Sequence, residues 1–183
     1  MEDWMNRCTL CPRRCGADRT VSVGRCGVGE QVRLARAALH FWEEPCVSGE
    51  EGSGTVFFSG CSLGCVFCQN YQISAGHFGR DIPVERLAEI FLELQEQKAN
   101  NINLVTGGHY IPQIVRALDL VRGKLHIPVV YNSSGYETVE ALRMLKGYVD
   151  VYLPDLKYRS PERGAPFSHA PVYFWVANQA NLV

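Results

Sequence analysis

The sequence has almost no net charge, no long hydrophobic run and no signal-peptide pattern in its first residues. Its 183 residues carry a formal net charge of -1 at pH 7, which offers no electrostatic basis for binding nucleic acid or an anionic membrane surface. No apolar run approaches the roughly 18 residues of a membrane-spanning helix. The first residues, Met-Glu-Asp-Trp, lack the basic and then apolar order of a signal peptide. We therefore expect a cytoplasmic protein without nucleic-acid or membrane partners.

Cysteine is absent after residue 68, yet eight cysteines occur up to that point. Because reducing conditions in the cytoplasm disfavour structural disulfides, clustered cysteines there indicate metal binding or catalysis. They form an N-terminal group, a single residue and a second group: Cys8, Cys11, Cys15 and Cys26, then Cys46, then Cys61, Cys65 and Cys68. This uneven distribution predicts that the thiol chemistry belongs to the first part of the chain.

The N-terminal part of the chain differs in composition from the rest. Residues 1–50 are rich in Cys, Arg and Gly and show little periodicity, which predicts a small, loop-rich module that a metal holds together. A glycine-rich turn or linker follows at residues 49–54. We therefore expect a cysteine-rich N-terminal module at residues 1–50 and a second domain at residues 51–183.

From residue 55 onward, short β-branched and aromatic runs alternate with helical patterns. Strands are predicted at residues 55–59, 102–106, 128–131 and 149–153, and helices at 83–98, 112–121 and 139–146, with a last helix capped by Ser168. Such alternation implies parallel strands joined by right-handed crossovers. The fold class is therefore α/β, either a β/α barrel or a doubly wound sheet.

A polar or cysteine-rich segment follows each of the four predicted strands. In chain order these segments are the Cys61 loop, Gly107-Gly108-His109, Asn132-Ser133-Ser134 and Asp155-Leu156-Lys157. Since ligands of α/β folds bind beyond the carboxyl ends of parallel strands, the four segments are expected to converge on one face. The pattern predicts a composite ligand site without relying on any motif.

The loop after the first predicted strand contains Cys61, Cys65 and Cys68 together with Gly60 and Gly64. Thiolates are soft ligands that suit zinc, copper(I) or iron–sulfur clusters. Three thiolates bind three irons of a [4Fe–4S] cube and leave the fourth iron open, whereas an all-cysteine electron carrier uses four. An open metal position binds a substrate or cofactor. We interpret the loop as an iron–sulfur site, with zinc or no metal as the alternative.

This Cys-x-x-x-Cys-x-x-Cys loop, with Phe67 just before its last cysteine, resembles the loop of the radical S-adenosylmethionine (SAM) superfamily. The segments that extend the resemblance are Glu43-Glu44-Pro45, Gly52-Ser53-Gly54, Phe57-Phe58-Ser59-Gly60 and Gln69-Asn70. They are similar to the branch related to pyruvate formate-lyase activating enzyme, whose N-terminal Cys-x-x-Cys-Pro-Arg-x-Cys matches Cys8 to Cys15. The resemblance covers nearly the whole chain.

The resemblance implies a partial, TIM-like β/α barrel preceded by the cysteine-rich module. It also implies a [4Fe–4S] cluster on Cys61, Cys65 and Cys68, with SAM on the open iron. One electron then cleaves SAM to methionine and a 5′-deoxyadenosyl radical, which abstracts a hydrogen atom from a substrate. Such an activating-enzyme-like oxidoreductase needs a low-potential donor, flavodoxin or ferredoxin. A glycyl-radical enzyme is the protein substrate that the resemblance suggests.

The resemblance assigns seven further residues to cofactor binding: Gly107, Gly108, Asn132, Ser133, Asp155, Lys157 and Phe67. The glycine backbone is expected at the SAM amino group, the Asn-Ser pair near the carboxylate and ribose, and Phe67 beside the cluster or adenine. The alternatives are a tight turn for the glycines, strand-end caps for the polar residues and core packing for Phe67. His109 stands where the family usually has an acidic residue, so it has no assigned role.

The N-terminal cysteines Cys8, Cys11, Cys15 and Cys26 supply four thiolates in a loop-rich setting. A structural zinc ion and an auxiliary iron–sulfur cluster are both chemically sufficient for such a set. Unligated, reduced thiols are a third interpretation. Cys46 stays unassigned, because a lone cysteine is usually a small buried hydrophobic residue.

Two charged pairs receive no functional role from the sequence. Arg13 and Arg14 are expected on the solvated surface. The adjacent carboxylates of Glu43 and Glu44 would need unusual backbone geometry to converge, so we predict no catalytic function for them.

Only four strand–helix units fit after residue 55, whereas the resemblance implies a partial barrel of six. We therefore expect a C-terminally truncated barrel. The second hypothesis is accordingly a non-catalytic metal-binding or interaction protein, or an inactive fragment. The substrate and the oligomeric state do not follow from the sequence.

Overall fold

The computed structural model describes residues 4–182, which form a six-stranded sheet with helices. The strands are β1 (Val32–His40), β2 (Ser53–Phe58), β3 (Arg80–Ile82), β4 (Ile102–Val105), β5 (Val129–Ser133) and β6 (Val151–Pro154). The helices are α1 (Pro45–Ser48), α2 (Tyr71–Ser74), α3 (Val84–Glu96), α4 (Ile111–Leu120), α5 (Val139–Met144), α6 (Pro161–Ser168) and α7 (Tyr173–Ala180). The predicted mixed α/β class is confirmed.

The four predicted strands correspond to β2, β4, β5 and β6, which pair in parallel in that order. Helices α3, α4 and α5 form the crossovers between them, as the alternating pattern predicted. The sheet order is β3-β1-β2-β4-β5-β6. The ends of β2, β4, β5 and β6 therefore point to one edge of the sheet, where the four polar segments begin.

Strands β1 and β3 extend the sheet on the other side and are antiparallel to their neighbours. The expectation of loop structure up to residue 50 is therefore wrong for residues 32–40. Strand β1 contains an irregularity between Leu34 and Arg36, and most of its residues are only half-buried. The irregularity interrupts the two-residue alternation by which a strand is recognised.

Helix α6 was also not predicted, and the predicted cap at Ser168 is wrong. Ser168 is the last residue of α6, and the final helix α7 begins at Tyr173. Gly164 and Pro166 lie inside α6, and both residue types disfavour helix interiors. Short helices with such residues depend on tertiary packing, which the sequence pattern does not report.

The main hydrophobic core lies between the sheet and helices α3, α4 and α5. Val56, Leu104 and Tyr131 of the sheet pack against Phe91 and Ile114 of the helices. Because side chains alternate along a strand, the residues between them face the opposite side. That opposite face carries polar side chains, including Thr55 and Asn103, both fully buried.

Within residues 4–182, no helix has the length and apolar character needed to cross a lipid bilayer.

Candidate metal centre

The Cys61 loop begins directly after β2 and depends on two glycines with positive φ. Gly60 has φ +83°, and a Cβ there would lie 2.6 Å from the carbonyl oxygen of Cys26. Gly64 has φ +67°, and its backbone N–H donates to the Cys61 sulfur at 3.5 Å. Glycine allows this left-handed turn at no steric cost. The loop therefore folds back so that a backbone dipole stabilises negative charge on the first thiol.

Cys61, Cys65 and Cys68 are all free and partly buried. Burial raises the pKa of the Cys61 thiol above its usual value, and the nearby Cys65 and Cys68 add to the rise. The N–H groups of Gly64 and Leu63 oppose it. The three sulfurs thus lie close enough to influence one another electrostatically, as ligands of one cluster must.

No three His, Cys, Asp or Glu side chains of residues 4–182 converge on a point that would hold one metal ion. A cubane does not require such convergence, because each thiolate binds a different iron atom. The lack of convergence therefore does not count against a [4Fe–4S] cluster on the three free thiols of the loop. The donor chemistry of the loop agrees with the predicted iron–sulfur site.

Arg13 holds the loop in place, and the expectation that it is solvated surface is wrong. Its guanidinium donates to the carbonyl oxygens of Ser62 at 2.9 Å and Leu63 at 2.9 Å. It also donates to those of Ser168 at 2.6 Å and His169 at 2.5 Å. Arg13 thus joins the N-terminal residues, the cysteine loop and the end of α6.

An aromatic cluster supports the underside of the loop. Leu63 is 1% exposed and packs with Tyr136, Tyr158 and Tyr173. Phe67 is 58% exposed and makes an edge contact with Tyr158 at 6.1 Å. Core packing of Phe67 is therefore not observed, and its ring is available to a ligand.

The turn after β4 is tightly packed and strained. Thr106 has φ +57°, an uncommon conformation for a β-branched residue that occurs often at functional sites. A Cβ on Gly107 would lie 2.6 Å from the Ile114 side chain, and one on Gly108 would lie 2.8 Å from Glu137. A larger residue at either position would displace a neighbouring side chain, so the packing of the turn favours glycine here.

His109 is buried against the end of β2. Its Nε2 lies 2.8 Å from the carbonyl oxygen of Ser59. Burial lowers the pKa of the imidazole to about 4, partly offset by the Ser59 bond, while the nearby charge of Arg19 lowers it further. His109 is accordingly a neutral imidazole at the junction of the N-terminal residues and two strand ends.

Asn132 and Ser133 lie on opposite faces of β5. The Asn132 amide donates to Glu43 at 3.3 Å, and the Asn103 amide donates to the same carboxylate at 2.9 Å. The Ser133 hydroxyl instead donates to Glu137 at 3.1 Å. Burial raises the pKa of Glu137 to about 7, although the Ser133 hydrogen bond opposes the shift. Glu43, which sequence reasoning set aside, thus anchors two amides on the polar face.

Asp155 and Lys157 follow β6 and form an ion pair with each other at 2.6 Å. Both residues are exposed. The backbone N–H of Lys157 donates to the Tyr173 hydroxyl at 2.9 Å. The pair therefore faces solvent next to the aromatic cluster, and each side chain has a partner in the absence of ligand.

A cavity of about 740 Å³ lies on the helix side of the sheet. It is bordered by α5, β6 and the end of α7. Of the residues predicted to bind the cofactor, only Ser133 is among its described lining residues. Its described lining contains no cysteine. Cavity size alone therefore does not indicate the site; the thiol loop does.

The four N-terminal cysteines surround a second, much smaller cavity of about 10 Å³. Cys8, Cys11 and Cys26 are buried, whereas Cys15 is exposed. Burial raises the pKa of Cys11 to about 12, and the other three thiols contribute to the shift. The structure thus brings this predicted group together. Cys46 is exposed rather than buried as a lone cysteine usually is.

A three-thiol loop at the carboxyl ends of parallel strands is typical of an iron–sulfur enzyme with an α/β fold. Residues 55–174 match the radical SAM superfamily. The chain therefore belongs to the radical SAM superfamily, which implies a [4Fe–4S] cluster, SAM and the general radical mechanism that starts with SAM cleavage.

An uncharacterized protein of Methanocaldococcus jannaschii is similar to this chain, with 35% identity over 184 residues. The match covers 96% of the chain and 53% of that protein. The chain thus spans about half the length of the curated relative it matches. No solved structure matches.

Proposed function

We propose that this protein uses a [4Fe–4S] cluster on Cys61, Cys65 and Cys68 to cleave SAM reductively and produce a 5′-deoxyadenosyl radical for hydrogen abstraction. The observation that carries the proposal is the set of three adjacent free thiols in one glycine-containing loop at the end of β2. When bound, the cluster supplies the electron that breaks the sulfonium bond. The remaining chemistry of this chain is positioning and shielding.

The residues around the loop have proposed positioning roles. The end of β4 presents the Gly107-Gly108 backbone, and Asn132 presents an amide that Glu43 holds on the polar face. Phe67 offers an exposed ring next to Cys68. Ser133 acts only through its backbone in this proposal, because its hydroxyl is bonded to Glu137. Asp155 and Lys157 would exchange their mutual ion pair for contacts with SAM.

The finer assignment is an oxidoreductase of the branch related to pyruvate formate-lyase activating enzyme, located in the cytoplasm. In this proposal the parallel strands belong to a partial β/α barrel, and the N-terminal cysteine-rich module precedes it. Flavodoxin or ferredoxin delivers the electron, and a glycyl-radical enzyme is the candidate protein substrate. These partners rest on family analogy.

The N-terminal cysteines are proposed to hold a second metal centre. Support comes from their arrangement around one cavity, which unligated surface thiols would not need. This feature also favours the alternative function, a metal-binding protein without SAM chemistry. The chain spans about half of its relative, so the activity of the whole protein is part of the proposal.

Anaerobic reconstitution with iron and sulfide tests the function. We expect a cluster that dithionite reduces and, with SAM, production of 5′-deoxyadenosine. Replacing Cys65 by serine is expected to abolish this product. Cys46→Ser is the matched control, because Cys46 is free and exposed and lies in neither cysteine group. A reduced cluster that leaves SAM intact would refute the enzyme and leave the metal-binding alternative.

A further inference from the structure

His109 lines the same small cavity as the four N-terminal cysteines, although it lies far from them in sequence. The cavity is lined by Cys8, Leu10, Cys11, Cys15, Arg19, Arg25, Cys26 and His109. An ideal Cβ built on Gly24 would lie 3.3 Å from the Cys26 sulfur and 3.6 Å from the Cys15 sulfur. These two sulfurs thus face a common point beside the cavity. Five metal-binding side chains are therefore grouped there.

The hydrogen bonds of His109 leave one ring nitrogen free to act as a ligand. A carbonyl oxygen only accepts hydrogen bonds, so the contact with Ser59 at 2.8 Å requires a proton on Nε2. A neutral imidazole then has a bare lone pair on Nδ1. His109 is 2% exposed, and this Nδ1 is buried without a hydrogen-bond partner among the described residues. Such an orphaned acceptor is costly unless something binds it.

The buried Arg19 beside the cavity carries a positive charge that a nearby negative charge would stabilise. Arg19 is 1% exposed and donates to the carbonyl oxygens of Gly29 at 2.6 Å and His109 at 2.7 Å. In residues 4–182 no carboxylate forms an ion pair with it. Buried charges are normally paired. Thiolates on a divalent metal would supply the missing negative charge.

The size of the cavity favours a single ion over a cluster. About 10 Å³ corresponds to roughly the ~10–15 Å³ that one water-sized particle needs, and an eight-atom cubane is far larger. The buried donors are three cysteines and one histidine, which is a known donor set of structural zinc. With three thiolates and a neutral imidazole, such a centre carries a charge of -1, which Arg19 balances.

We propose that Cys8, Cys11, Cys26 and His109 bind one zinc ion. Cys15 is the one exposed cysteine of the N-terminal group, so we place it outside the ligand set although its sulfur lies near that of Cys26. The inference rests on the second metal centre proposed above and is independent of SAM chemistry. The donors line the cavity without converging on one point, so zinc binding requires the thiols to move toward one another.

The proposed ion would connect the N-terminal residues to the cluster loop. His109 follows Gly108 directly, and its Nε2 bonds to Ser59, which precedes the loop. The backbone N–H of Cys61 also donates to the carbonyl oxygen of Cys26 at 3.3 Å. Metal at His109 therefore fixes both the loop of β2 and the turn of β4. His109 is a positioning residue for the SAM site in this proposal.

The test uses the full chain carrying Cys61→Ser, Cys65→Ser and Cys68→Ser, so that metal binds only at the N-terminal site. We expect one Co²⁺ per chain, with sulfur-to-cobalt charge-transfer absorption and tetrahedral ligand-field bands. ¹¹³Cd²⁺ bound to the same protein should show the NMR shift of three sulfurs and one nitrogen. A shift typical of four sulfurs, or no metal binding, overturns the proposal.

Two single variants in this background identify the ligands. His109→Ala should lower Co²⁺ affinity by more than the roughly 100-fold that losing an outer hydrogen-bond partner costs. Cys15→Ser is the matched control and should leave the absorption spectrum and affinity unchanged. Equal affinity in His109→Ala, or loss of a thiolate band in Cys15→Ser, contradicts the ligand set. Iron and sulfide uptake at four irons per chain would contradict zinc. Failure of SAM cleavage in the unmodified chain would not affect any of these results.

Discussion

Replacing Arg13 by methionine should loosen the cysteine loop, because one guanidinium bonds four carbonyl groups from two distant segments. Three of these bonds, to Ser62, Leu63 and Ser168, are partly buried, and the fourth, to His169, is exposed. Methionine keeps much of the side-chain volume and removes every donor. The change therefore removes these hydrogen bonds and the cation–π contact of the guanidinium with the Tyr136 ring, 5.2 Å away, while it keeps much of the packing.

The expected loss of stability follows from those three partly buried bonds. A hydrogen bond contributes about 1 kcal/mol net, and the exposed one counts for little, so the variant should lose about 3 kcal/mol. For a chain of this size, each kcal/mol lowers the melting temperature by roughly 2–4 °C, which gives a fall of about 6–12 °C. The loss is a large share of the ~5–15 kcal/mol that typically holds a domain folded.

Thermal unfolding of the reduced, metal-free protein, followed by circular dichroism, measures this effect. Arg14→Met is the matched control, because Arg14 is the adjacent residue and is exposed. Surface substitutions usually change stability by less than about 0.5 kcal/mol, so the control should melt within about 2 °C of the wild type. Iron loading of the Cys61 loop should also fall in Arg13→Met. Equal melting of the two variants would refute the anchoring role of Arg13.

Two further predictions concern the carboxylates of Glu137, which is buried, and Glu43, which is half-buried. Burial raises the pKa of Glu137 to about 7 from 4.5, so the folded state binds the proton of this carboxyl more tightly than the unfolded state does. Proton binding therefore stabilises the folded protein below the unfolded pKa, and this stabilisation is lost as the pH rises to about 7. Glu137→Gln should therefore show less loss of stability between pH 5 and pH 8 in urea titrations, and an unchanged pH dependence would contradict the assigned pKa. Glu43→Ala leaves the fully buried Asn103 amide without its acceptor and should lower the free energy of unfolding by about 1–3 kcal/mol. Glu44→Ala is the control, and at this exposed position it should cost almost nothing. Equal denaturant midpoints of the two variants would show that the Glu43 carboxylate is not an anchor.

The strands that the sequence predicted are those with strong local signals. Strands β2, β4, β5 and β6 consist of short β-branched and aromatic runs between turn residues, and their parallel pairing follows from the helices between them. The thiol loop could also be predicted from the sequence, because three cysteines and two glycines within the nine residues 60–68 have few structural uses. Strand β1 and helix α6 lacked such signals, since an irregularity interrupts one and glycine and proline interrupt the other.

The side chains that the sequence misjudged act over long distances along the chain. Arg13 bonds residues about 50 and 155 positions away, and Glu43 binds an amide 89 positions away. No local pattern encodes a partner so remote, so the default expectation for a lone arginine or glutamate is solvent. Asn132 and Ser133, adjacent in sequence, turn to opposite faces because strand residues alternate.

The sequence by itself determined the ligand chemistry: soft thiolates at cluster spacing, next to glycine, after a strand. This follows because metal preference depends on atom type and local spacing, both of which are written in the chain. Only the tertiary structure decided which groups share a site. It gathered the N-terminal thiols around His109 and tied their segment to the cysteine loop through Arg13. Such groupings arise from the packing of distant segments, and packing is a property of the folded chain rather than of any stretch of sequence.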